Sequence, residues 1–211
     1  MRTTTFASLG IILLSFLIGL YLYPQMPETV ASHWNARGEA DGYMPKFWGL
    51  FLLPLISLGL LLLLVLIPKI DPLKANIETF RKYYDGFVVL MMAFLFYLYL
   101  LTVLWNIDIR FDMLRALAPA FGALLYYTGV LVENAKRNWS IGIRTPWTLS
   151  SDRVWEKTHK LGGRLFKIAG AIAVVGAFFG SYGIVFILVP VILFAAYAMV
   201  YSYLQYQKEL K

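Results

Sequence analysis

Two small groups of ionisable residues in this sequence have side chains that could do acid–base or metal chemistry. His33, Glu39 and Asp41 lie within "SHWNARGEADGY", and Glu156 and His159 lie three positions apart in "VWEKTHKLGG". A histidine beside a carboxylate can act as an acid–base pair, and the same atoms are common ligands of divalent metals. The chain contains only these two histidines, so any such site has to use one of them.

Neither group has the remaining parts of a metal site or a catalytic site. The spacing of the first group matches no standard metal motif, and the single Glu-x-x-His pair lacks a second pair to complete a metal site. No nucleophile stands with a base and an electrophile-stabilising group. The absence of cysteine excludes disulfides, thiolate catalysis and cysteine-ligated metals. We therefore predict a binding protein that is not an enzyme and that uses no metal and no cofactor.

The chain that must position these residues has the composition of a membrane protein. Of its 211 residues, 60% are hydrophobic and only 15% are charged, whereas soluble domains average about a quarter charged. Six apolar runs are long enough to cross a hydrocarbon core of about 30 Å. They are residues 6–23, 47–67, 86–105, 114–132, 165–179 and 184–204. We predict an all-α, polytopic bundle of six transmembrane helices that forms one integral membrane domain over residues 1–211, with the last two runs paired as a helical hairpin.

Basic residues divide unequally between the two sides that six spans define. Fifteen Lys and Arg residues, from Arg2 to Lys211, fall on the side of the termini, whereas the other side has four. Because Lys and Arg are enriched in cytoplasmic loops, we predict a cell-membrane protein with both termini in the cytoplasm. The net charge of +7 is then explained by loops that face anionic lipid headgroups rather than by nucleic acid. The centres of the spans contain no ionisable residue, which argues against a proton-coupled pump or a charge-lined channel.

Two of the predicted loops differ in their local patterns. Residues 24–46 form an extracytoplasmic loop in which Asn-Ala-Arg-Gly and Asp-Gly indicate ordered turns rather than a helix. Residues 68–85 begin with Asp71 as a helix N-cap and Pro72 at the first helical position. Apolar residues then recur on one helical face, which predicts a cytoplasmic amphipathic helix at the membrane interface. That face consists of Leu73, Ile77, Phe80 and Tyr84.

The third loop, residues 133–164, combines an irregular part with a helix. Residues 138–149 have no helical period, whereas Ser150 or Ser151 caps a helix that Gly162-Gly163 ends or bends into the fifth span. This helix has a basic, an acidic and an apolar face, which predicts an interfacial helix; alternatively, its polar faces grip a ligand or partner. The faces are Arg153, Lys157, Lys160 and Arg164; Asp152, Glu156 and His159; and Val154, Trp155, Thr158 and Leu161.

The order of two segments also carries a family resemblance. The outer "MPETVASHWNARGEADGY" resembles the first signature of SdpI-like membrane proteins, and the inner "NWSIGIRTPWTLSSDRVWEKTHKLGG" is similar to their second signature over nearly its whole length. The family is named for an immunity protein that protects a sporulation-delaying bacterial cell from its own secreted toxic peptide. That protein also sequesters a cytoplasmic autorepressor. The resemblance therefore implies membrane immunity, with a peptide toxin outside and a repressor inside as expected partners.

The two signatures contain the residues that we predict to bind a ligand or partner. Arg144 could donate two hydrogen bonds to a carboxylate or phosphate, and Trp147 and Trp155 could anchor at the membrane interface. Alternatively, the inner residues only order the loop. The predicted set is His33, Asn35, Gly38, Asp41, Asn138, Gly142, Arg144, Thr145, Trp147, Trp155 and His159. The competing functions are a transporter for a small or amphipathic substrate and a membrane enzyme that uses the histidine–acid pairs.

Overall fold

Helices make up 79% of the computed structural model, which describes residues 3–211. Met1 and Arg2 lie outside that range. Arg2 is one of the fifteen basic residues counted above on the side of the termini. The elements are α1 (Thr3–Leu22), β1 (Thr29–Trp34), β2 (Ala40–Pro45), α2 (Lys46–Ile70), α3 (Lys74–Thr79), α4 (Arg81–Asn106), α5 (Met113–Asn134), α6 (Pro146–Ser150), α7 (Asp152–Gly176) and α8 (Gly183–Glu209). Short 3-10 segments follow α1 and α7.

The predicted all-α, polytopic helical bundle is confirmed. Within residues 3–211, five helical stretches are long and apolar enough to cross a membrane, and the last of them, Asp152–Glu209, has 58 residues. That stretch contains both α7 and α8, which pack against each other and are separated by Gly180 in a left-handed conformation (φ 56°). The fifth and sixth predicted runs therefore fall on two adjacent helices, while the number of spans stays a prediction.

The connections between the long helices gather at two opposite ends of the bundle. At one end, which we call the hairpin end, the backbone of Ala31 exchanges hydrogen bonds of 2.8 and 2.9 Å with the side chain of Asn106 at the end of α4. At the other end, Asp71 contacts the segment 135–151, which we call the polar loop, and Ser151 donates a hydrogen bond of 2.6 Å to Glu209. The connections thus lie at two ends of the bundle, while the division of the loops between two sides of a membrane stays a prediction.

Residues 26–45 of the predicted outer loop are not helical, and they contain strands that the sequence did not reveal. β1 and β2 pair antiparallel, with Thr29 opposite Pro45 and Ala31 opposite Tyr43. Val30 is buried against Gly49 of α2, which leaves no room for a larger residue at position 49. The hairpin is thus packed onto the bundle.

The amphipathic helix predicted over residues 68–85 is wrong as a single element. α2 continues to Ile70, Asp71 is its C-terminal cap residue rather than an N-cap, and α4 already begins at Arg81. Only the short α3 lies between them. The predicted apolar residues are buried, but in the protein core and not at the lipid interface, as Ile77 and Phe80 show.

The predicted end or bend at Gly162-Gly163 is also wrong, because α7 runs unbroken from Asp152 to Gly176. Gly163 faces α5, where an added Cβ would lie 2.8 Å from the carbonyl oxygen of Gly129. Two turns further along α7, a Cβ added at Gly170 would lie 2.6 Å from the carbonyl oxygen of Gly122. Small residues let two helices approach closely in a membrane. These glycines therefore serve the contact between α5 and α7.

Candidate functional site

The hairpin brings the predicted outer residues together. Nδ1 of His33 on β1 lies 2.5 Å from Oδ1 of Asp41 on β2, and the side chains are 70% and 44% exposed. Strand pairing sets this distance, since Gly42, the neighbour of Asp41, lies opposite His33. The pair is a solvent-exposed polar feature of the hairpin. Within residues 3–211, no three His, Asp or Glu side chains are grouped as a metal site.

Asn35 and Gly38 build the turn of the hairpin. The side-chain oxygen of Asn35 accepts hydrogen bonds from the backbone N–H groups of Arg37 (2.8 Å) and Glu39 (3.1 Å). Gly38 has a φ of 77° and donates its N–H to the carbonyl of Asn35 at 2.9 Å. The Asn35 amide, together with the charge of Arg37, lowers the pKa of Glu39. Asn35 and Gly38 therefore shape the loop, while His33, Asp41, Arg37 and Glu39 present its charges.

At the opposite end, Asn138 holds the polar loop from within. Its side chain is fully buried, and its oxygen accepts from the N–H groups of Ser140 (2.9 Å) and Ile141 (2.5 Å). Its nitrogen donates to the carbonyls of Lys136 (2.8 Å) and Ile141 (2.9 Å). All the hydrogen-bonding capacity of this buried amide is used, so Asn138 supports the prediction that these residues order the loop.

Asp71 is a second residue that holds the polar loop in place. The sequence predicted a different role for it, as a helix N-cap. Its buried carboxylate accepts hydrogen bonds from the N–H of Leu73 (2.7 Å), the N–H of Trp139 (3.0 Å) and the hydroxyl of Ser140 (2.6 Å). The carboxylate thus connects the end of α2 to the loop that follows α5. The Asp-Pro pair looked like a helix start, and no local signal indicated the distant partners.

His159 lies at the centre of the polar loop, not on an exposed acidic face. Its ring is buried and stacks on Trp155 with a centroid distance of 3.8 Å. Nδ1 lies 2.9 Å from the Trp155 carbonyl and Nε2 lies 3.0 Å from the N–H of Ile143. This pattern assigns the neutral tautomer, in which Nδ1–H donates and Nε2 accepts.

Burial lowers the pKa of His159 to about 4, although the Trp155 carbonyl works in the opposite direction. The residue lies in the polar first turns of α7, before the apolar run that begins at residue 165. Its role is therefore that of a neutral hydrogen-bonding core residue. Gly142, whose φ is 118°, passes directly over Nε2, where any side chain would collide.

The other predicted inner residues divide between loop structure and surface. Thr145 is buried, forms a capping box with Thr148 at the start of α6, and lies 3.0 Å from the Ser202 hydroxyl of α8. Arg144 is exposed and donates a 2.6 Å hydrogen bond to the Trp139 carbonyl. Between these two residues, only Arg144 has a side chain that a partner could reach.

The prediction that both tryptophans anchor at the membrane interface is wrong for Trp155 and stays a prediction for Trp147. Trp155 is only 2% exposed and donates its indole N–H to the Ala135 carbonyl at 2.8 Å, so the interfacial role is wrong for this residue. Trp147 is partly buried and meets Tyr203 of α8 edge to face, with centroids 5.1 Å apart. Both rings hold the polar loop to the bundle.

The interfacial helix predicted after Ser151 is the first part of α7. Ser151 caps it as predicted, accepting from the N–H of Val154 at 3.2 Å. Three residues of the apolar face, Val154, Trp155 and Thr158, are buried in protein and Leu161 is half-buried, which corrects the interfacial placement. The predicted basic face is exposed along its length, and it consists of Arg153, Lys157, Lys160 and Arg164. A cleft of about 660 Å³ beside it is lined by residues of both charge signs, including Lys136 and Glu156.

The arrangement defines a class: a polytopic helical membrane protein with a polar hairpin at one end and a hydrogen-bonded polar loop at the other. Residues 134–202 match the SdpI/YfhL protein family, and residues 10–58 match a domain of unknown function, DUF1648. The chain is 27% identical over 202 residues, 95% of each chain, to "Immunity protein SdpI" of Bacillus subtilis (strain 168). No solved structure matches the chain. The chain is therefore similar to SdpI-like membrane proteins, through a family match over residues 134–202 and a 27% identical relative over nearly its whole length.

Proposed function

We propose that this chain is a membrane immunity protein that protects the cell by binding a membrane-active peptide at its hairpin end. The similarity to the immunity protein of B. subtilis carries this proposal, because it extends over 95% of both chains and therefore includes both the hairpin and the polar loop. Sequence similarity limited to one segment would not support a common function for both ends of the protein.

The hairpin is the element that we assign to peptide contact. His33 and Asp41 are exposed and stand on strands fixed to α2 and α4, so they form a rigid polar surface. Asn35 and Gly38 contribute by keeping the turn in shape. In this proposal the hairpin faces the exterior, both termini are cytoplasmic, and residues 1–211 act as one membrane domain.

The polar-loop end is the surface that we assign to the cytoplasmic side. Its exposed basic face and Arg144 suit an anionic partner, either lipid headgroups or an acidic surface of a cytoplasmic repressor. Basic residues near an anionic membrane contribute about 1 kcal/mol each. Binding at this end is separate from protection, because the two surfaces lie at opposite ends of the helices.

The proposed orientation predicts which introduced cysteines react from outside the cell. The chain has no cysteine of its own, and Arg37 and Ser150 are both exposed. In intact cells, an impermeant maleimide should label an Arg37→Cys variant and should label a Ser150→Cys variant only after lysis. Labelling of position 150 with sparing of position 37 would show that the orientation is inverted.

The proposed division of roles predicts that protection depends on the hairpin. In B. subtilis cells that lack their own SdpI and still secrete the peptide, we expect His33→Ala and Asp41→Ala to lower survival at least tenfold. The double variant should still accumulate in the membrane, because both side chains are solvent-exposed and surface substitutions cost about 0.5 kcal/mol or less.

Two matched variants separate this result from general damage. Ile109→Ala changes an exposed residue at the same end but outside the hairpin, and Lys157→Glu changes the basic face at the other end. Both should leave survival unchanged. If the hairpin variants protect fully while Lys157→Glu abolishes protection, the site of protection lies at the polar-loop end and the proposal is wrong.

A further inference from the structure

An apolar slot of about 290 Å³ lies directly beneath the hairpin. α2, α4 and α5 form its walls, and the hairpin covers its end. Its lining includes Trp34, Trp48, Leu52, Ile56, Leu98 and Leu117. Sites for small molecules usually measure about 300–1,000 Å³, so this slot suits a single narrow chain rather than a folded partner.

The slot runs along the helices and has its rim on the lipid-facing side of the bundle. Trp48, Leu52 and Ile56 recur every four residues on one face of α2, and they are 49%, 37% and 49% exposed. Ten residues separate the start of α2 from Ile56, a rise of about 15 Å. This is half of a hydrocarbon core of about 30 Å, so the slot has the depth of one leaflet.

Two residues that line the slot have a buried polar atom without a hydrogen-bond partner among residues 3–211, Trp34 on the hairpin and Tyr99 on α4. The Tyr99 hydroxyl lies beside Gly19 of α1, whereas Trp34 belongs to the hairpin that covers the slot. Nε1 of Trp34 is buried and has no hydrogen-bond acceptor among residues 3–211. The ring of Trp34 meets Trp105 edge to face at 5.5 Å, and an aromatic face is at best a weak acceptor. A buried N–H without an acceptor is costly, and an indole can only donate. The slot therefore suits a ligand with an oxygen acceptor at the end of an apolar chain.

We propose that the slot binds one acyl chain of a glycerophospholipid from the leaflet on the hairpin side, with an ester carbonyl that accepts the hydrogen bond of Trp34. The chain lies parallel to the helices between α2 and α5, and the ester group lies at the level of the hairpin. The surrounding lipid supplies this occupant in any orientation of the protein. The inference therefore stands apart from the proposed immunity function.

Photo-crosslinking in nanodiscs tests this site. The whole protein is reconstituted in phosphatidylcholine that carries a diazirine in one acyl chain, irradiated, and mapped by mass spectrometry. We expect adducts at Leu52, Ile56 and Leu117 at several times the density found on the exposed face of α1, represented by Leu13. Trp34→Phe keeps an aromatic, though smaller, ring and removes the donor, and it should lower the slot adducts roughly three- to tenfold.

Two filling variants provide the matched comparison. Leu117→Trp places a large ring in the slot and should abolish the slot adducts, whereas Leu13→Trp on the exposed face of α1 should leave them unchanged. Melting temperatures of each variant show whether the fold is retained. Adducts no denser in the slot than at Leu13 would overturn the proposal, as would slot adducts that Trp34→Phe leaves unchanged.

Discussion

Replacement of Gly163 by leucine is expected to separate α5 from α7 and to reduce the amount of folded protein in the membrane at least tenfold. Even a methyl group at this position would lie 2.8 Å from the Gly129 carbonyl oxygen and 2.6 Å from Cβ of Glu133. The obstacle includes the backbone of a neighbouring helix, which cannot rotate away as a side chain does. Overpacking of this kind typically costs about 1–3 kcal/mol, and more where the backbone must move.

The effect should spread beyond one contact. α7 packs more extensively on α5 than on any other element, and the Lys167–Glu133 ion pair lies beside the same contact. Moving α7 away would also separate these two charges, and unpaired charges at a membrane boundary are costly. We therefore expect the variant to be degraded rather than merely weakened in function.

A matched substitution elsewhere distinguishes close packing from a general intolerance of leucine in helices. A Cβ added at Gly59 of α2 would meet no atom within 4 Å among residues 3–211. Gly59→Leu should therefore accumulate like the unmodified protein, as measured by immunoblot and by fluorescence-detected size-exclusion chromatography. Equal accumulation of Gly163→Leu and Gly59→Leu would show that α5 and α7 can part without harm.

Hydrophobicity predicted the long helices because a membrane requires long apolar runs. Four of the six predicted runs fall within one long helix, and the first and fifth extend one and three residues beyond α1 and α7 into the 3-10 segments. Glycine was misread for a physical reason. Gly162-Gly163 has the composition of a helix end, and only the position of α5 shows that these residues serve a helix contact. The hairpin strands were missed because six-residue strands among prolines and glycines give no clear alternation.

The sequence grouped some residues of the two ends correctly but did not reveal their geometry. His33 and Asp41 were grouped from sequence and do meet across two strands. His159 was placed on an exposed face by helical periodicity, yet tertiary contacts bury it against Gly142 and Ile143. Asp71 lies nearly seventy positions from Ser140, and nothing local to either residue indicates their 2.6 Å hydrogen bond.

Asp71 also shows how the two ends of the protein are joined. β2 ends at Pro45, α2 begins at the next residue, and Asp71 follows α2 directly. One helix of 25 residues therefore connects the hairpin to the carboxylate that holds the polar loop, with no intervening residue at either junction. The polar loop is accordingly the part of the protein where the hairpin-bearing helices and the α7–α8 pair are tied together.

Substitution of Gly142 by alanine is expected to open the polar loop while leaving the membrane helices assembled. The φ of 118° is strained for any residue with a Cβ, at a cost of about 1–3 kcal/mol. The methyl group would also collide with Nε2 of His159 and displace the ring from the N–H of Ile143. A buried N–H left without its acceptor adds about 1–3 kcal/mol, so the loop should lose about 3 kcal/mol or more.

Limited proteolysis measures this loss directly, because Arg144 is an exposed trypsin site within the polar loop. If cleavage requires local opening, 3 kcal/mol corresponds to cleavage about a hundredfold faster. Gly38→Ala is the matched control: it has a comparable left-handed φ of 77°, but its Cβ would approach only Asp112 Oδ1, at 3.5 Å. Because Gly38→Ala adds strain without a collision, it should leave cleavage after Arg144 unchanged. Unchanged cleavage in Gly142→Ala would instead show that the His159–Ile143 hydrogen bond does not hold the loop closed.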